Sequence, residues 1–358
     1  MSIFKDHTRI LKFLTVSALV LVARPMHDSG QALSESKAEI FHFSGRTIVC
    51  GIELGDDMKS SHGLESGFAY EVLKDFGRDH NCNVKIVVGR KGVNYVDSLK
   101  TGAIDLLVMH NEDAVGKEDL ILSENLMDCS AIAFSKGKED HVREVNEWLT
   151  EYTVSDDFKT KQSLFFRPFN PINRARKGVR SNIISPYDDL FKKYAKELGW
   201  DWRLIAAIVY QESKFSISSR SHRGASGLMQ VMPQTGAIYN IHNLTDPEQN
   251  LIAGTSHLKR LNRLYRKARM SNTERIRFTL AAYNAGEGRI KDCRNLARSK
   301  GMNANVWADV AKVIPMMRDD SILDEENIRL GKFNGSETIA YVENVMSLYS
   351  AICKICPR

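Results

Sequence analysis

From Trp202 to Tyr210 the chain reads WRLIAAIVY, and only Arg203 is polar. A helix that is apolar on every side is buried within a domain. Asp201 stands where an N-cap belongs. At the far end the character changes at once to Gln211-Glu212-Ser213-Lys214. A carboxylate at the C-terminal end of a buried helix is disfavoured as an anion twice, by desolvation and by the negative end of the helix dipole. Both effects raise its pKa toward the range a general acid needs near neutral pH. A solvated helix-end glutamate is the plainer alternative. The flanks favour the first reading: between Glu212 and Gln230 there is no Asp or Glu, only serines, Lys214, His222 and two arginines among apolar and small residues. Gly224-Ala225-Ser226-Gly227-Leu228-Met229-Gln230 follows, with small residues that let backbone or substrate approach closely.

Three ordered motifs carry a family resemblance. ESKF at 212–215, GASGLMQVMPQT at 224–235 and AAYNAG at 281–286 resemble the soluble lytic transglycosylase domain, a helical fold similar to goose-type lysozyme. A fourth motif, ETIAYV at 337–342, extends the likeness to the end of the chain. The resemblance implies an all-α catalytic domain over 185–358, acting on peptidoglycan with no metal or organic cofactor. It implies Glu212 as the catalytic acid. It also implies substrate-binding roles for Ser221, Met229, Gln230, Tyr283, Asn284 and Tyr341, with Met229 and Gln230 as walls of the sugar subsite and Tyr283 as the hydroxyl that touches Glu212 or the substrate. For the two tyrosines the alternative is core packing with a satisfied hydroxyl, and for Met229 and Met232 simple core.

Glycosidases ordinarily use two carboxylates, whereas here Glu212 alone lies inside a recognisable motif. Asp201 reads as a helix cap. Glu287 sits at a helix start, where an acid favours the dipole, and Glu337 reads as structural. One carboxylate suits the lytic reaction, in which Glu212 serves as acid and then base. The competing readings are a goose-type lysozyme hydrolysing the same bond, which needs a second carboxylate, and a non-catalytic wall-binding sensor, which would be expected to lose the acid.

The first half has a different grammar. At 358 residues, two or three domains are expected. Thr47–Glu53, 84–88, 104–109 and 131–134 read as strands; 66–80, 95–100 and 141–152 read as helices. This alternation predicts an α/β layer with a mostly parallel sheet over 40–155. IVCGIE at 48–53, GFAYEVLKDFG at 67–77 and SLKTGAIDLLV at 98–108 resemble one lobe of the family-3 solute-binding fold. Complete members carry a second lobe, yet only about two dozen residues separate Val108 from Phe134. A single lobe is therefore expected, serving as a docking or regulatory module toward the wall or a protein partner. The fold class expected of the chain is thus α+β multidomain.

Residues 156–184 read as a basic linker with little periodicity, carrying Arg167, Arg174, Arg176, Lys177 and Arg180. Residues 1–32 read as an export signal: Lys5, Arg9 and Lys12 precede an apolar run from Phe13 to Ala23, too short for a comfortable membrane span. A periplasmic location follows, with peripheral or anchored membrane association as the variant. The net charge of +6 suits an anionic polymer without deciding which; nucleic acid is not expected as a partner. Of six cysteines, Cys353 and Cys356 have CxxC spacing but no second pair, so a local disulfide or free thiols are expected rather than a zinc site.

Overall fold

The computed structural model describes residues 42–55, 64–89, 93–319, 322 and 328–357. The export-signal reading of 1–32 lies outside the described residues. No described helix is long and apolar enough to cross a membrane.

The N-terminal region is a five-stranded sheet in the order β2-β1-β3-β5-β4. β1 (Thr47–Glu53) pairs in parallel with β2 (Asn83–Val88) and with β3 (Leu106–His110). β5 (Ser130–Ser135) runs antiparallel to β3, and β4 (Leu120–Met127) antiparallel to β5. The sheet is mixed, not mostly parallel: the residues after β3 make a short 3-10 turn and an antiparallel hairpin at the sheet edge. Helix α1 (Glu65–Asp79) lies on one face, where Phe68, Leu73 and Phe76 join Leu106 and Val108 in the main core. Helix α2 (Tyr95–Lys100) covers the other face with Leu107 and Met109. Helix α3 (Glu139–Tyr152) closes the region, burying Val145 and Leu149. Cys50 is fully buried, as a small core residue.

The stretch read as an aperiodic linker contains two helices. α4 (Asp156–Phe166) starts at Ser155, whose hydroxyl accepts from the Phe158 amide; α5 (Pro171–Arg176) starts at Asn170, with Pro171 in the first turn. Phe158 and Phe165 make edge contacts with Phe68 of α1, so this stretch is packed against the lobe.

From there the chain is helical: α6 (Asp188–Leu198), α7 (Trp202–Ser213), α8 (Pro233–Ile238), α9 (Pro247–Leu264), α10 (Asn272–Ala285), α11 (Glu287–Ser299), α12 (Trp307–Val313) and α13 (Ser336–Ile355). The only extended pairing described here is a pair of isolated bridges through Ser226. α7 is the central helix, buried from Arg203 to Tyr210 and flanked by α6 and α13. The charged side chain within that buried stretch is neutralised inside: Arg203 pairs with Asp201 at 2.5 Å and donates to the Cys356 carbonyl at 2.8 Å. That pairing holds the Asp201 carboxyl near a pKa of about 2. All six cysteines are free thiols.

The two regions meet through specific bonds as well as one continuous core. Tyr70 of α1 donates to Asp246 at 2.8 Å, and Asp246 also caps α9 by accepting from the Gln249 amide. Asn243 donates to the Ile86 carbonyl at 3.3 Å.

Candidate active site

Helix α7 ends abruptly. Lys214 and Phe215 both adopt left-handed backbone conformations, with φ of 55° and 71°. Such conformations cost side-chain-bearing residues free energy and persist only where packing enforces them. Here Phe215 is buried among Phe169, Phe191 and Tyr210. The Ser213 hydroxyl donates to the Leu228 carbonyl at 2.9 Å. Glu212 is thereby fixed at the last turn of the helix, half-buried.

Tyr341 comes from α13, 129 residues away, and donates to Glu212 Oε1 at 2.5 Å. Burial raises the Glu212 pKa from 4.5 to about 7; the Tyr341 hydrogen bond and the Lys214 charge work in the opposite direction and do not overcome it. The Lys214 ammonium lies 4.3 Å from the centre of the Tyr210 ring. No second carboxylate perturbs Glu212 among the described residues. Glu287 is engaged elsewhere, held by two bonds from Arg260 at 2.8 and 2.7 Å that keep its carboxyl below the usual range. Glu337 is exposed on the first turn of α13.

The 224–231 loop is built as a clamp. Gly227 has φ of 75°, and a Cβ there would fall 2.1 Å from the Leu244 carbonyl oxygen. Asn250, fully buried on α9, donates to the Ser226 and Leu244 carbonyls and accepts from the Met229 amide. The Met229 side chain points into the core against Gly254, where any Cβ would meet its sulfur at 2.3 Å. Met229 is therefore not a wall residue of a sugar subsite through its side chain, because it is 0% exposed. Its contribution is its carbonyl, which accepts from Tyr283 at 2.8 Å.

The other expected site residues divide in the same way. Gln230, with φ of 47°, spends its amide donors on the Ser219 and Gly227 carbonyls, both at 3.0 Å. Ser221 is exposed; its hydroxyl accepts from the Ala225 amide and closes the turn. Asn284 accepts from Thr338 at 2.8 Å, joining the third motif to the fourth. Burial and the Glu212 charge push the Tyr283 hydroxyl well above its ordinary pKa, so it stays protonated. Sequence reasoning overlooked Asn250 and His257. Asn250 is an amide on the otherwise apolar stripe of α9, which was the available signal. His257 lies beside Tyr283, with ring centres 5.6 Å apart.

Residues 189–306, which hold the buried helix, its raised-pKa acid and the 224–231 loop, match the family described as Transglycosylase SLT domain. That range includes every expected site residue except Tyr341. Among curated relatives, the chain is 34% identical over 203 residues to a membrane-bound lytic murein transglycosylase F of Alteromonas mediterranea, covering 56% of this chain and 42% of that one. It is 37% identical over 167 residues to a protein of the same name from Shewanella loihica, covering 46% and 34%. A third, from Alcanivorax borkumensis, is 34% identical over 214 residues, covering 59% and 45%. The chain thus spans less than half the length of these relatives. A solved structure of the 70 kDa soluble lytic transglycosylase from Escherichia coli aligns over 58% of this chain and 30% of that one, with 26% identity and a TM-score of 0.36.

Proposed function

We propose that this protein is a peptidoglycan lytic transglycosylase that cleaves the β-1,4 bond between N-acetylmuramic acid and N-acetylglucosamine. The observation that carries the reading is a single carboxylic acid, Glu212, with a pKa of about 7 and a tyrosine donor at 2.5 Å on one oxygen. At that pKa both protonation states are accessible at neutral pH, as a group acting in turn as acid and base requires.

The Glu212 proton passes to the glycosidic oxygen as the bond to C1 breaks. The resulting carboxylate takes the proton of the muramyl C6 hydroxyl, whose oxygen bonds to C1 and closes a 1,6-anhydro ring. Water is not consumed and Glu212 returns to its starting state. Tyr341 occupies Oε1, leaving Oε2 for the substrate, and steadies the carboxylate formed midway. Tyr283, Gln230 and Asn284 act as positioning residues through the Met229 carbonyl, the 219–227 turn and Thr338. The exposed Ser221 hydroxyl is assigned to substrate contact.

The relatives' names include "membrane-bound"; a periplasmic or membrane-associated location for this chain rests on the sequence of residues 1–32. The N-terminal lobe is assigned to docking the helical domain on the wall or against a wall-associated protein, since its contacts through Tyr70 and Asn243 suit a fixed platform.

Mass spectrometry of digested cell-wall sacculi tests the reading. Anhydromuropeptides, lighter by one water than hydrolytic products, are expected. Reducing-end muramic acid as the main product would make the enzyme a hydrolase. Glu212→Gln should abolish turnover while retaining glycan binding, because an amide supplies neither acid nor base.

A further inference from the structure

The C-terminal edge of the N-terminal sheet gathers three different metal-ligand side chains. Glu65 is in the first turn of α1, His110 ends β3, and Cys129 sits in the turn between β4 and β5. The Glu65 carboxylate oxygen, a His110 ring nitrogen and the Cys129 sulfur all lie within 4.8 Å of one another. Backbone register explains the meeting. His110 pairs with Ser130 across the β3–β5 ladder, and the Asn111 amide donates to the Cys129 carbonyl at 2.9 Å. Cys129 is therefore held beside the end of β3. His110 falls on the same side of β3 as Leu106 and Val108, the face that α1 covers. This brings it onto Glu65, with Nε2 2.7 Å from Oε2.

We propose that Glu65, His110 and Cys129 form a binding site for one borderline-soft divalent cation of the zinc class. One oxygen, one imidazole nitrogen and one thiolate match the ligand set zinc takes, and three protein ligands leave a fourth position for solvent or an exogenous group. Asp113 Oδ2 lies 3.8 Å from His110 Nδ1, beyond hydrogen-bond distance. Glu65 and His110 stand slightly too close for direct ligation, since ligands on a tetrahedral zinc are roughly 3.3–3.8 Å apart. The cation would take the place of the proton they share, moving the two side chains apart by about half an ångström on the same geometry. Once bound, the ion ties the start of α1, the end of β3 and the β4–β5 turn together, at the edge where a complete solute-binding fold would continue into a second lobe.

Cobalt titration of the reduced, chelator-treated full chain tests this, because thiolate ligation gives a charge-transfer absorption band. One equivalent of Co²⁺ should produce the band, excess Zn²⁺ should abolish it, and Ca²⁺ should not. Cys129→Ser should eliminate it, while Cys353→Ser/Cys356→Ser should retain it, because that CxxC pair is elsewhere. Far-ultraviolet circular dichroism and glycan cleavage serve as folding controls, since Cys129 has no part in the proposed reaction. No band in the parent chain, or one that survives Cys129→Ser, would overturn the proposal and leave Glu65–His110 as a hydrogen-bonded pair. Loss of the band in the Cys353→Ser/Cys356→Ser variant would overturn it equally.

Discussion

Glu212 should make the protein less stable as the pH rises, and Glu212→Gln should remove that penalty. In the unfolded chain this carboxyl titrates near 4.5; in the folded protein burial raises it to about 7. Between those values the unfolded state sheds a proton the folded state keeps, so stability falls with rising pH. The whole interval, at ~1.36 kcal/mol per pH unit, amounts to ~3 kcal/mol. Between pH 5 and pH 8, allowing for partial ionisation at both ends, ~2–3 kcal/mol should be lost. A glutamine does not titrate, so the variant should gain on the parent by that amount between the two pH values. Any fixed cost of the buried amide cancels in the comparison. Urea unfolding at pH 5 and pH 8, followed by tryptophan fluorescence, measures the difference, with Trp200, Trp202 and Trp307 reporting on the helical region. Parallel stabilities for parent and variant would mean that Glu212 has an ordinary pKa, and the acid–base assignment would lose its physical basis.

Three further outcomes are expected. Tyr341→Phe removes a hydrogen bond to the ionised form; at about 1.5–3 kcal/mol for a charged bond the alkaline limb of the pH–rate profile should move up by ~1–2 pH units, and a downward shift would contradict the geometry. Glu287→Gln should leave at least half the turnover, because Glu287 is committed to Arg260; collapse of activity in a glycan-cleavage assay would identify it as the missing second carboxylate. Asn250→Ala strips partners from the Ser226 and Leu244 carbonyls and the Met229 amide, and calorimetric unfolding should show a loss of at least ~3 kcal/mol, given ~1–3 kcal/mol per buried unsatisfied group.

What could be read in the sequence follows the range of the forces involved. The α7 helix and its cap were visible because hydrophobic pattern and capping are local: Asp201 accepts from the Arg203 amide at 3.0 Å as expected of an N-cap. The bounds of β1 and α2 were legible for the same reason. β4 was missed because Ser123-Glu124-Asn125 interrupts its apolar residues, and its ladder shifts register at Leu122, Asn125 and Met127. α4 was missed because only Phe158 and Phe165 are buried along it, too sparse a stripe to register as periodic. Within the site, Glu212 stood out through its abrupt change of environment. Sequence could suggest that Tyr341 completes the site, but not that its hydroxyl bonds to Glu212. Nor could it separate Met229, whose side chain belongs to the core, from Gln230, whose side chain holds the turn. Those distinctions depend on where Asn250, Gly254 and Tyr283 arrive in three dimensions.

The separation between Glu212 and Tyr341 has a bearing on timing. A chain that emerges N-terminus first carries its acid through 129 further residues before the hydroxyl that steadies it exists. The helix bearing that hydroxyl is anchored by bonds formed just as late: the Ser181 amide and the Arg203 guanidinium reach the Ile355 and Cys356 carbonyls. Until those bonds close, Glu212 lacks its oriented donor. On the proposed reading, a wall-cleaving acid would meet its oriented donor only once α13 has been made and packed.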